Sequence, residues 1–129
     1  MTENQISRIV VDAAIEVHRT LKGPGLLESV YEEALVFELR CRGLHVQRQI
    51  EFPLMYKGSP LARKLRIDVL VNNSVIVECK ASEKYNSVFE IQALTYLRLR
   101  NLRLALLINF GQRLVKNGIH RVVNQLDDS

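Results

Sequence analysis

Two side chains of opposite charge, Glu78 and Lys80, interrupt an otherwise apolar stretch, IVECKAS at residues 76–82. The β-branched residues of this stretch are typical of a buried strand, and alternation along a strand places Glu78 and Lys80 on one face. A carboxylate and an ammonium in that setting either form an ion pair at the end of a sheet or bind and polarise a charged ligand. The residue that lies opposite them distinguishes these two uses.

Whether a second carboxylate, Asp68, faces Glu78 depends on the loop between two predicted strands. With a three-residue loop at 72–74, Asp68 lies opposite Glu78. A two-residue loop places Asp68 opposite Val77 instead and points the two carboxylates to different faces. Both loop lengths occur in hairpins, so the sequence leaves this choice open.

If the two carboxylates do face each other, their charges repel unless a cation lies between them. Lys80 supplies a positive charge at a neighbouring position rather than between the acids. A few hard oxygen ligands completed by water suit Mg²⁺ or Mn²⁺, and such an ion would polarise a phosphate and lower the pKa of a bound water. The spacing therefore predicts metal-assisted phosphodiester chemistry, with a structural salt bridge of Lys80 to either acid as the alternative.

The helices that must position these residues follow from the hydrophobic periodicity. Apolar residues at i, i+3, i+4 and i+7 predict helices over residues 4–21 and 27–42, separated by the glycines and proline at 23–25. A capping-box pattern at 87–90 predicts the start of a third helix, which extends to about residue 100.

Alternation with a period of two predicts the strands. Four are expected over residues 47–56, 63–71, 75–81 and 102–110, and residues 119–124 can add a short fifth. Pro53 indicates an edge strand or a bulge, and alternation puts Ile67 and Val69 together on the face opposite Asp68. The element order predicts an α/β domain with a mixed central sheet.

Size and composition predict one domain over residues 1–129. Apolar residues make up 47% and charged residues 25% of the chain, which is typical of a globular protein rather than a disordered one. No apolar run approaches the roughly 20 residues that span a bilayer, and the N-terminus lacks the hydrophobic segment of a signal peptide. We therefore expect a cytoplasmic protein with no membrane partner. The net charge of +4 favours a polyanionic partner.

Two further motifs lie on the predicted helices. The sequence GLLESVY at 25–31 has the form G-x-x-E-x-x-Y at the start of the second helix, and QALTY at 92–96 has the form Q-x-x-x-Y on the third. Together with Asp68 and the E-x-K of Glu78 and Lys80, these motifs resemble the GxxExxY protein family, which is placed in the PD-(D/E)XK nuclease superfamily. The resemblance extends over about residues 13–124.

The resemblance implies a restriction-endonuclease-like αβββαβ core with a mixed central sheet and an extra N-terminal helix. It implies that Asp68 and Glu78 bind Mg²⁺ or Mn²⁺, with Glu28 and the backbone carbonyl of Cys79 as further ligands. Lys80 would match the catalytic lysine, and Glu28 the acidic residue that the superfamily often contributes from its first core helix.

The resemblance also implies substrate contacts and a partner. Gln92 and Tyr96 would lie near the metal and the substrate, and Tyr31 would bind substrate or, alternatively, cover core. The expected activity is magnesium-dependent hydrolysis of nucleic acid, with DNA as the expected substrate. Because the domain is small, a homo-oligomer or a protein partner is also expected. The alternative is a catalytically silent module that keeps the fold and binds nucleic acid or protein.

Overall fold

Five strands form one mixed sheet in the computed structural model, which describes residues 1–126. They lie across the sheet in chain order and comprise β1 Val46–Tyr56, β2 Ser59–Val71, β3 Val75–Lys80, β4 Leu104–Asn109 and β5 Ile119–Val123. The pairs β1–β2, β2–β3 and β4–β5 are antiparallel, whereas β3 and β4 are parallel. The connection between the parallel strands carries a helix, as such a crossover usually does.

Three α-helices within the described residues cover the two faces of the sheet. They are α1 Glu3–Thr20, α2 Glu28–Cys41 and α3 Val88–Arg100. Helices α1 and α2 pack on one face with Val77 and Cys79, and α3 packs on the other face with Ile76. The predicted αβββαβ core with an extra N-terminal helix is confirmed. None of the described helices combines the length and the apolar character that a bilayer-spanning helix needs.

The hairpin between β2 and β3 has the three-residue loop. Val71 pairs with Val75, so residues 72–74 form the connection and the two-residue alternative is wrong. This register places Asp68 opposite Glu78, one position beyond the last pair of the ladder, where the two strands separate. The carboxylates therefore meet at the edge of the paired region rather than inside it.

The expected alternation of faces fails along β2 at Asp68. Ile67 packs in the core beneath α3, whereas Val69 packs against α1 and α2, although alternation predicted both on one face. The β1–β2 ladder has no paired position at Gln49 and Asp68, while the pairs on either side remain in register. Gln49 has a left-handed backbone with φ of 50°. At this irregularity the side chains of β2 exchange faces, so that Ile67 and Val69 lie on opposite sides of the sheet. A regular period of two does not predict such an exchange.

Other predicted boundaries hold closely, with three differences. Strand β2 begins at Ser59 rather than at residue 63, so β1 and β2 form a longer arm than expected. The prediction of a capping box is wrong, because Ser87 has a helical backbone and its side chain makes no capping hydrogen bond. A short 3-10 helix at Val115–Gly118 was not predicted. The prediction for Pro53 is confirmed, because β1 is an edge strand whose register shifts at that residue.

The end of β4 holds the segment that follows β3. The Asn109 side chain accepts a hydrogen bond from the Ser82 N–H at 3.0 Å and donates one to the Ser82 carbonyl at 2.9 Å. The Phe110 N–H donates to the Lys80 carbonyl at 2.8 Å. Gly111 lies so close that a Cβ atom on it would be 2.4 Å from the Ser82 carbonyl oxygen. The backbone on the C-terminal side of Lys80 is therefore fixed by backbone contact.

We expect Gly111→Ala to lower the free energy of unfolding by about 1–3 kcal/mol, because the added methyl group has no room beside rigid backbone. Urea denaturation measures the change. Arg113→Ala is the control, since Arg113 is an exposed residue two positions further along the chain. Equal stabilities of the wild type and Gly111→Ala would show that the segment after β3 can move away.

Candidate functional site

A polar cavity of about 480 Å³ opens where β2 and β3 separate, between α2 and α3. Four carboxylates and three cationic side chains are among the residues that line it: Glu28, Ser29, Glu32, Arg48, Gln49, Arg66, Asp68, Glu78, Lys80, Gln92 and Tyr96. Six side chains that the sequence singled out therefore share one cavity, although they come from two helices and two strands. Tyr31 and the Cys79 side chain do not line it.

Glu78 is buried without a partner for one of its oxygens. Its side chain belongs to a residue that is 4% exposed, and Oε1 makes no hydrogen bond within the described part of the chain. Burial raises the pKa of Glu78 well above its usual range, and the neighbouring Asp68 raises it further, while the positive charge of Lys80 acts in the opposite direction. Asp68 Oδ2 lies 3.4 Å from the backbone nitrogen of Cys79, whose N–H donates to it.

This pair of acids fits a divalent cation. Magnesium sites commonly use one or two carboxylates, with water and substrate phosphate completing the shell, and the unpartnered oxygen of Glu78 beside Asp68 offers such a donor set. Within residues 1–126, no three His, Cys, Asp or Glu side chains are grouped closely enough to hold a metal ion by themselves. The arrangement is therefore that of an open site rather than a closed protein cage.

Glu28, the first residue of α2, reaches the same cavity from the helix N-terminus. Burial raises the pKa of Glu28, and the charges of Asp68 and Glu32 add to the increase. Lys80 and a backbone hydrogen bond from Ala81 lower it. Glu28 therefore interacts electrostatically with Asp68 and Lys80, which line the same cavity.

The ammonium group of Lys80 lies over an aromatic ring that the sequence analysis missed. Its Nζ is 4.6 Å from the centroid of the Phe89 ring, on the first turn of α3. A cation in this position is attracted by the negative face of the ring. Tyr85 packs edge-on against Phe89, with ring centroids 6.3 Å apart. The available signal was the position of Phe89, one helical turn before Gln92.

The predicted Q-x-x-x-Y pair is formed on α3. Gln92 Nε2 donates a hydrogen bond to Tyr96 Oη at 2.8 Å, as residues four apart on a helix can. The hydroxyl proton of Tyr96 is not used in this bond, so it remains available to an acceptor in the cavity. Both side chains line the cavity together with Lys80.

Glu32 is a second buried carboxylate that the sequence analysis missed. It is 5% exposed and accepts hydrogen bonds from Arg48, at 3.2 Å from Nε and 2.9 Å from Nη2, and from Gln49 Nε2 at 3.0 Å. Its position four residues after Glu28, on the same face of α2, was the available signal. Unlike Glu78, Glu32 is fully matched by donors.

Two residues of the sequence analysis have side chains outside the cavity. For Tyr31 this differs from the expected substrate contact, whereas for Cys79 only the backbone carbonyl was expected to take part. Tyr31 is completely buried, and its ring stacks on Phe110 with centroids 4.8 Å apart. Its hydroxyl donates to the Gly23 carbonyl at 2.7 Å and accepts from the Leu26 N–H at 3.1 Å. These contacts support the structural alternative for Tyr31. The Cys79 thiol packs in the core under α1 and α2, where burial raises its pKa well above the usual range.

We expect Tyr31→Phe to lower the free energy of unfolding by about 1–2 kcal/mol, because two hydrogen bonds to the loop before α2 are lost while ring stacking remains. Thermal denaturation measures this loss, and calorimetry with Mn²⁺ should give an unchanged affinity. If Tyr31→Phe instead has wild-type stability and binds nucleic acid more weakly, Tyr31 contacts the substrate and the structural role is wrong.

We expect the metal-free protein to lose stability as pH rises through the raised pKa of Glu78. The unfolded chain releases this proton at lower pH than the folded chain, so the free energy of unfolding decreases over that interval. Glu78→Gln should flatten the dependence and should be more stable than the wild type in chelator at about pH 8.

Urea denaturation in chelator from about pH 5 to about pH 8 measures this dependence, with the exposed Glu83 changed to Gln as the matched control. Added Mn²⁺ should stabilise the wild type increasingly as pH rises, and Glu78→Gln much less. Identical pH dependence in the wild type and Glu78→Gln would contradict the burial of an ionisable carboxyl at this position.

Comparison with known proteins agrees with the fold. Residues 4–122 match the family model of the PD-(D/E)XK nuclease superfamily. No significant match was found among curated proteins or among solved structures. The mixed sheet with its flanking helices is consistent with the restriction-endonuclease-like fold, and nucleases of this superfamily generally use divalent metal ions. The chain belongs to the PD-(D/E)XK nuclease superfamily.

Proposed function

We propose that this protein is a metal-dependent nuclease of the GxxExxY type that hydrolyses phosphodiester bonds in DNA. The observation that carries the proposal is the unpartnered, buried oxygen of Glu78 beside Asp68, with Lys80 in the same polar cavity. A buried carboxylate oxygen without a donor is costly unless a ligand completes it. A cation and a phosphate together would satisfy both acids and the lysine.

In this proposal Asp68 and Glu78 hold Mg²⁺ or Mn²⁺ together with the backbone carbonyl of Cys79. Glu28 assists from a greater distance, since no three acids within residues 1–126 are grouped closely enough to hold an ion by themselves. When bound, the ion supplies positive charge that polarises the phosphodiester and makes water more acidic. The chain's own contribution is to keep the two carboxylates together at the open end of the β2–β3 ladder.

Lys80 and the Q-x-x-x-Y pair act on the substrate in this proposal. The ammonium of Lys80 donates to the attacking water or to the phosphate oxygen on which negative charge develops. The cation–π contact with the Phe89 ring keeps the flexible lysine side chain near this position. Tyr96 donates its free hydroxyl proton to a phosphate oxygen, and Gln92 fixes the orientation of that hydroxyl.

A binding module that keeps the fold without turnover is the second candidate. The raised pKa of Glu78 favours it, because a neutral Glu78 removes the charge conflict with Asp68 in the absence of a cation. Calorimetry with Mn²⁺ distinguishes the two candidates. Binding that is lost in Asp68→Ala supports the nuclease, whereas absence of binding in the wild type supports the module.

We expect the purified protein to cleave DNA in Mg²⁺ or Mn²⁺, and Asp68→Ala and Lys80→Ala each to reduce the rate at least about a hundredfold, because each removes a charge that stabilises the transition state. Gel assays with single- and double-stranded DNA and RNA measure the cleavage.

Glu83→Ala and Lys84→Ala are the matched controls, since both residues are exposed and neither lines the cavity. They should retain wild-type rates. The proposal fails if all four nucleic acids stay intact with either metal, or if cleavage survives in both Asp68→Ala and Lys80→Ala, which would indicate a contaminating nuclease.

A further inference from the structure

The backbone of Gln49 has a conformation that glutamine rarely adopts inside a strand. Its φ of 50° lies in the left-handed region, within β1 and opposite Asp68. Successive side chains of a regular strand point to opposite faces, yet Arg48 and Gln49 both reach Glu32. The left-handed turn thus brings two neighbouring side chains to one buried acid. Such conformations persist where surrounding contacts compensate for them, and they are frequent at functional sites.

The contacts of the Gln49 side chain fix which way its amide points. Nε2 donates to both oxygens of Glu32, each at 3.0 Å. Oε1 accepts from Arg66 Nε at 2.5 Å. An ionised carboxylate only accepts hydrogen bonds and a guanidinium only donates them, so the reversed amide would have the wrong group towards each partner. Gln49 therefore links the buried Glu32 to the exposed Arg66, with its amide NH₂ towards the acid and its amide oxygen towards the arginine.

The two arginines of this network differ in how many of their guanidinium nitrogens already have hydrogen-bond partners. Arg48 directs two of its nitrogens to the same oxygen of Glu32, and the pair forms a salt bridge at 2.9 Å. Arg66 uses only Nε, for a neutral amide, and makes no salt bridge within the described residues. Its side chain is exposed and lines the cavity with Asp68 and Glu78. Its two terminal nitrogens make no hydrogen bond to any residue from 1 to 126, so they can bind an anion.

We propose that Glu32, Gln49 and Arg66 form a phosphate-binding subsite, in which Arg66 binds a backbone phosphate next to the scissile one. Terminal guanidinium nitrogens match phosphate oxygens in a bidentate geometry. Gln49 is the positioning residue, because its amide holds Nε and so directs the terminal nitrogens into the cavity. Glu32 is the buried anchor of Gln49. The subsite deepens the proposed nuclease function and rests on it for the choice of nucleic acid as ligand.

Charge balance in the cavity favours this assignment. The acids that face the open end of the β2–β3 ladder would repel a polyanion, and Lys80 is directed towards them and towards Phe89. Arg48 is already neutralised by Glu32. Arg66 lines the same cavity and has no acidic partner among the described residues. It therefore offers a phosphate backbone a favourable contact that does not depend on the pair of acids.

The test is binding of a short labelled DNA oligonucleotide in chelator, where no cleavage occurs, measured by fluorescence anisotropy over a series of salt concentrations. Arg66→Ala should weaken binding about tenfold and reduce the slope of log affinity against log salt by about one phosphate contact. Arg66→Lys should keep the slope but lose part of the affinity, because lysine cannot bind bidentately. Arg113→Ala, an exposed arginine that lines a separate cavity near His18, is the matched control.

Gln49→Met tests the positioning role, because methionine keeps the length of the side chain and removes the amide. We expect about threefold weaker binding with an unchanged salt slope, since Arg66 is retained but no longer directed. The double variant Gln49→Met, Arg66→Ala should bind no more weakly than Arg66→Ala alone, because Gln49 acts through Arg66. Fully additive losses would overturn the positioning role.

Turnover separates the subsite from the nuclease proposal. Arg66→Ala should raise KM for the oligonucleotide about tenfold and should slow hydrolysis of bis(p-nitrophenyl) phosphate far less, because that substrate is too small to reach the subsite. A protein that cleaves nothing but shows the expected loss of binding in Arg66→Ala would refute the nuclease and keep the subsite. Wild-type affinity in Arg66→Ala, or no oligonucleotide binding by the wild type, would overturn the subsite.

Discussion

Two carboxylates that meet at the open end of a ladder are the constraint on which the rest of this structure depends. Asp68 and Glu78 lie opposite each other where β2 and β3 separate, and one oxygen of Glu78 is buried without a donor. Burial raises the pKa of Glu78, and the neighbouring Asp68 raises it further, because like charges so placed oppose each other's ionisation. Lys80 offsets part of this repulsion from the next position on its face, and the contacts after β3 fix the backbone that carries it.

The two buried acids of the cavity differ in whether the protein supplies hydrogen-bond donors to them. Glu32 and Glu78 are almost equally buried, at 5% and 4% exposure. Glu32 is fully matched by Arg48 and Gln49, so its burial needs nothing further. Glu78 lines the cavity, and one of its oxygens is buried without a donor among the described residues. Burying an unpaired charge costs far more than burying a paired one. This difference between the two acids is the physical reason for proposing a bound cation at Glu78 and not at Glu32.

The sequence predicted most of the fold and much of the site because both follow from periodicity and local chemistry. Hydrophobic repeats located the helices and strands, and an E-x-K motif located one wall of the cavity. The loop at 72–74 could not be decided, since its length depends on ladder geometry rather than composition. The face of Ile67 was predicted wrongly, because a left-handed Gln49 on the partner strand interrupts the alternation. Phe89 was missed because its contact with Lys80 joins residues from separate elements.

The irregularity at Gln49 and Asp68 connects the two halves of the cavity. A regular ladder would pair these residues and turn the Gln49 side chain away from the face on which Arg48 reaches Glu32. The observed ladder leaves both positions unpaired, so Asp68 can project into the opening while Gln49 spans from Glu32 to Arg66. In the proposed function, this one backbone distortion serves two purposes, because it positions Asp68 for a cation and Arg66 for a phosphate. The left-handed residue lies opposite Asp68 and contacts Arg66, so the proposed metal site and the proposed phosphate subsite depend on the same piece of backbone.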